Sequence, residues 1–85
     1  MELIEGNYYK NILCESFKDS ETGRIRVRPL PDQGFPTNVI IECSKKIRME
    51  HPLGTVFRTE NVLVTRKPGG RIHLRAKDQM IYKVD

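Results

Sequence analysis

The chain has 85 residues, 31% of them charged, with a formal net charge of +4 and no Trp. That length holds one domain, residues 1–85, and excludes a multidomain enzyme. The charges are interleaved with aliphatics, which excludes a disordered tail, and no apolar run approaches the ~20 residues that span a bilayer.

The opening Met1-Glu2-Leu3-Ile4-Glu5 has no basic start and no long apolar core, so no signal peptide is expected and the cytoplasm is the expected compartment. Without a secretory context Cys14 and Cys43 are expected to be reduced and buried. A chain this short buries only about 60–65% of its unfolded surface, so its core is marginal and self-association is a natural remedy. The charge is also segregated. Residues 1–22 carry five acids against two lysines, a balance of −3, which leaves +7 on the rest. A basic surface for an anionic partner, or a basic face meeting the acidic end of a second copy, follows from that asymmetry.

In chain order, Asn7–Phe17 reads as a strand with apolar groups on both faces, as at the bend of a barrel seam. Lys18–Gly23 is a polar hairpin turn. Arg24–Leu30 alternates strictly, with Ile25 and Val27 inward and Arg24, Arg26 and Arg28 outward until Pro29 ends the run. Pro31–Pro36 is a loop that exposes Phe35. Asn38–Cys43 is the most apolar strand, with Val39, Ile41 and Cys43 on one side. Ser44–His51 could be a short helix capped by Ser44 and stopped by Pro52, or an extension of that strand. Thr55–Phe57 opens another strand, and Thr59-Glu60-Asn61 looks like a bend or bulge.

Asn61–Ala76 is the clearest hairpin. Val62, Val64, Ile72, Leu74 and Ala76 face inward, Pro68-Gly69-Gly70 makes the turn, and Arg71, His73 and Arg75 stand outward. Met80–Val84 is the last strand, with Met80, Tyr82 and Val84 on one face. The expected fold is all-β: a small five- to six-stranded barrel or half-open sheet. It is OB-like if the 44–51 helix forms and SH3-like if it does not. Its expected core is Ile25, Val27, Val39, Ile41, Val62, Val64, Ile72 and Leu74.

The candidate site is a nucleic-acid-binding face built on two basic ladders. Arg24, Arg26 and Arg28 are spaced by two, as are Arg71, His73 and Arg75, so each set shares one face of its strand. Guanidiniums in such a row can fork onto phosphates and stack on bases. Lys45, Lys46 and Arg48 could extend the surface. The plain alternative is a solvated outer face, and the ladders gain force only if their strands adjoin. Of the aromatics, Tyr8, Tyr9 and Tyr82 read as core. No metal ligand spacing, nucleophile–base pair or phosphate loop is present, so neither metal, cofactor nor catalysis is expected. The expected function is non-catalytic binding of DNA or RNA. The alternative is a protein-interaction or assembly module, and a homo-oligomer is expected in either case.

Overall fold

The computed structural model describes residues 2–84. It contains strands β1 (Tyr8–Lys10), β2 (Leu13–Lys18), β3 (Ile25–Pro29) and β4 (Ile41–Glu42), a short helix α1 (Lys45–Met49), then β5 (Val56–Arg58), β6 (Asn61–Arg66), β7 (Ile72–Ala76) and β8 (Tyr82–Lys83). These form two four-stranded sheets, in the orders β1-β6-β7-β4 and β3-β2-β5-β8. The pairs are antiparallel except β4 with β7, which is parallel. The sheets do not join into a closed hydrogen-bonded ring among the described residues; β3 lies against β4 with no ladder between them.

Eight strands stand where five or six were expected, because two long strands each break and change sheet. The first breaks at Asn11, which takes a left-handed φ of 57°. The other breaks at Thr59-Glu60, where the sequence suggested a bend. The two breaks face each other. Asn11 N donates to Glu60 O at 2.8 Å, and Thr59 N donates to Ile12 O at 2.9 Å. The Thr59 hydroxyl accepts from Ile12 N at 3.1 Å. Backbone groups that would be orphaned at the kink are thus satisfied.

The core lies between the sheets. Val27, Val39, Ile41, Val62, Val64 and Leu74 are buried as the alternation predicts, together with Ile12, Phe57, Ala76, Ile81 and both cysteines. Burying each of the larger side chains contributes about 1.5–3 kcal/mol. Ile72 is half-buried against this cluster, and Ile25 is half-buried at its margin, near an end of β3. In the last strand Met80, Tyr82 and Val84 form the outward side, because Ile81, of the opposite parity, is the side chain that enters the core.

The hairpin turn has the chemistry its residues suggest. Gly70 N donates to Lys67 O at 2.7 Å, and Gly69 has φ 70°. Pro68 followed by a positive-φ glycine is the type II arrangement. Ser44 caps α1: its Oγ accepts from Ile47 N at 3.2 Å. The helix is five residues long, with Pro52 just beyond its end.

Candidate nucleic-acid interface

The two ladders belong to different sheets, β3 to one and β7 to the other, so they do not make a single basic sheet face. β4 intervenes: it pairs with β7 and lies against β3. Part of each ladder therefore meets across a cleft of about 260 Å³ at this seam. Arg26 comes from β3, Arg48 from α1, Lys67 and Arg71 from the hairpin turn, and His73 from β7. Ile40 and Ile72 supply apolar wall, and Asn38 and Glu42 supply polar groups. Among the described residues the lining holds four permanent cations and one carboxylate.

The cations differ in what already holds them. Arg48 is largely committed to the backbone. Its Nε donates to Ile25 O at 2.9 Å and its Nη1 to Cys43 O at 2.7 Å. It thus bridges β3 and the end of β4, where no ladder does. Arg26 Nε lies 3.1 Å from Asp19 Oδ2. That oxygen is off the N–H axis, so the buried Nε has a charge partner but no aligned acceptor. Asp19 is itself occupied. The Glu21 backbone N–H, the largest influence, holds its carboxyl below the ordinary aspartate value with help from Thr22 and Arg26, while desolvation acts the other way. Lys67 and Arg71 are exposed and form no ion pair with any described residue.

Glu42 is engaged from the β7 side. His73 Nε2 lies 3.1 Å from its Oε2 and Arg75 Nη2 lies 3.6 Å from its Oε1. Both contacts follow from the parallel register that sets Glu42 beside Arg75. Arg75 is thereby drawn along the sheet and does not line the cleft. Arg28 is also outside it, bonded by Nε to Glu15 Oε1 at 3.1 Å and lying 4.3 Å over the Phe17 ring. Arg24 and Lys45 line a second hollow, which shares Arg48 with the first. Lys46 is exposed on α1 and lines neither hollow.

The aromatic assignments change. Phe35 is half-buried and packs edge-on against Tyr9, ring centroids 5.0 Å apart, so it is no exposed platform. Tyr8 is instead 68% exposed, because β1 is an edge strand that turns one side outward. Tyr82 is also exposed, with Arg58 lying 5.5 Å above its ring.

Sequence reasoning missed Lys67, Asn38 and Glu42. Lys67 adjoins a recognisable turn and could have been found from it. Asn38 and Glu42 fall in the expected Asn38–Cys43 strand, judged by its apolar side alone; the strand forms only at Ile41–Glu42, and Asn38 lies in the turn before it. Neither a protein-family model, nor a curated protein, nor a solved structure matches this chain.

Proposed function

We propose that the protein is a non-catalytic nucleic-acid-binding domain with an OB-like connectivity, and that the cation-lined cleft is its phosphate-binding centre. The observation that carries the reading is four permanent cations converging on one cleft with a single carboxylate among them. Two of them, Lys67 and Arg71, have no carboxylate to satisfy among the described residues.

The connectivity supports the same reading. Taking each kinked pair as one strand, the path runs from β1/β2 through β3 and β4, then α1, β5/β6 and β7. The helix falls between the third and fourth of these strands, which favours OB-like over SH3-like. Such folds bind oligonucleotides on the face of strands two and three and with the loops after strands one and four. Here those are β3, β4, the 19–24 turn and the 67–70 turn, the region around the cleft. Architecture alone does not assign function; the cations carry the argument.

Fluorescence anisotropy with labelled DNA and RNA, single- and double-stranded, at low and moderate salt, tests the reading. Affinity tighter than ~100 μM at physiological salt is the usual non-specific level. The double variant Arg26→Ala plus Arg71→Ala should weaken binding to all sequences similarly. It should also flatten log K against log salt by about 0.7–0.9 for each phosphate that is no longer neutralised. The far-UV circular dichroism should not change, since neither Arg26 nor Arg71 is among the buried residues of the core. Absence of binding even at low salt would overturn the proposal.

A second reading, assembly with another copy, has its own observation. On the outer side of the β8-β5-β2 sheet, Leu13 and Tyr82 flank Arg58 in register. Leu13, Tyr82 and Val84 are each more than a third exposed. Exposed apolar side chains on either side of an arginine on an open sheet suit a self-complementary contact.

A further inference from the structure

We propose that the cleft seats one unstacked nucleotide of a single strand, so that the protein prefers single-stranded polynucleotide to duplex. This deepens the nucleic-acid reading and rests on it.

The lining is what separates a nucleotide from a bare phosphate. A phosphate needs donors and positive charge, and Arg71, Lys67 and Arg26 supply them. It has no use for the apolar wall of Ile40 and Ile72, and a carboxylate such as Glu42 would repel it. A base uses both. Its faces are apolar, and its edges present N–H donors and carbonyl or ring-nitrogen acceptors. Glu42 can accept from an amino or imino group, and the Asn38 amide can both donate and accept. Glu42 is already drawn toward His73 and Arg75, which places its carboxylate at the cleft without leaving it unopposed.

Size and layout point the same way. About 260 Å³ lies just below the ~300–1,000 Å³ of sites for drug-sized ligands, room for one base-sized group. Bases in a duplex are stacked and paired, and entry would require extrusion at a cost of a few kcal/mol. A base in a single strand is already able to swing out. Among the described residues no Phe, Tyr or Trp lines the cleft, so stacking falls to the flat groups that do, the Arg26 guanidinium and the His73 imidazole. The second hollow, with Arg24 and Lys45, adjoins the cleft at Arg48. It offers a place for a neighbouring phosphate, so the strand would run along the β3 side of α1.

The test compares a labelled single-stranded oligonucleotide with a hairpin duplex of equal phosphate number at one salt concentration. Single-strand binding should be at least tenfold tighter. Asn38→Ala and Arg71→Ala should each weaken single-strand binding at least threefold. Lys83→Ala, an exposed cation on β8, should change it less than twofold. Amide spectra should shift at Ile40 and Ile72 on titration with a 5′-mononucleotide and stay unmoved with inorganic phosphate. Equal affinity for duplex and single strand would overturn the seat while leaving nucleic-acid binding standing. So would an Asn38→Ala effect no larger than that of Lys83→Ala, or identical shifts with inorganic phosphate. Failure of every polynucleotide to bind would overturn both this inference and the reading beneath it.

Discussion

Thr59 is fully buried, and its hydroxyl takes the Ile12 N–H at the point where both long strands change sheet. Thr59→Val keeps the shape and removes the acceptor. A buried N–H without a partner costs about 1–3 kcal/mol, and urea denaturation should read a loss of that order with an unchanged m-value. The cysteines make a second prediction at this scale. Burial, with a smaller contribution from Cys43, pushes the Cys14 thiol up to about 12, and burial also raises Cys43 despite Arg48 nearby. A raised folded value keeps the proton on in the native state while the unfolded thiol ionises near 9. The unfolded state then binds fewer protons, so stability is fully present below pH 9 and declines as pH rises from there toward 12. Urea midpoints should fall between pH 8 and pH 10.5, and Cys14→Ala should reduce that fall. Native thiols should react slowly with a disulfide reagent at pH 8 and rapidly once unfolded.

Among the elements, α1 has a role its sequence does not announce. Lys45, Lys46 and Arg48 read as one basic cluster, yet only Arg48 turns back onto the seam. It donates to Ile25 O and Cys43 O, tying β3 to the end of β4 where those strands share no ladder. Arg48→Ala should therefore cost stability, about 1.5–3 kcal/mol for the loss of charge-assisted bonds. Lys46→Ala, at an exposed position, should stay within about 0.5 kcal/mol. Chemical denaturation of the two variants separates them. If Arg48 acted only on a bound ligand, both would unfold with the parent.

At the scale of the whole molecule, a small core and the exposed Leu13, Tyr82 and Val84 on the outer side of one sheet argue for self-association. Sedimentation equilibrium at micromolar concentration should show a species heavier than the 9.9 kDa monomer. Tyr82→Arg should shift it back toward the monomer, because a second guanidinium would then crowd Arg58 in the register pair. A clean monomer in the parent protein would remove the assembly reading and leave the cleft as the remaining functional feature.

The sequence by itself determined the all-β class, the hairpin at Asn61–Ala76 and most of the core. Each depends on the period-two pattern of neighbouring residues, which one strand and its turn are enough to impose. It also placed Arg26 and Arg28 in β3 and Arg75 in β7, while Arg24 and Arg71, expected in the same ladders, lie just outside those strands. Tertiary structure decided the rest. Whether Arg26 meets Arg71 depends on β4 lying beside β7 and against β3, a relation between segments far apart in the chain. The sheet change at Asn11 and Thr59 depends on two kinks answering each other across 48 residues. Glu42 and Arg48 show the same limit from the side of charge. Glu42 drew no reading from the sequence and becomes the partner of His73 and Arg75 through a parallel register. Arg48 reads as a phosphate ligand and becomes a bridge between carbonyls. A side chain's charge is written in the sequence, but the partner that claims it is chosen by distance in the folded chain.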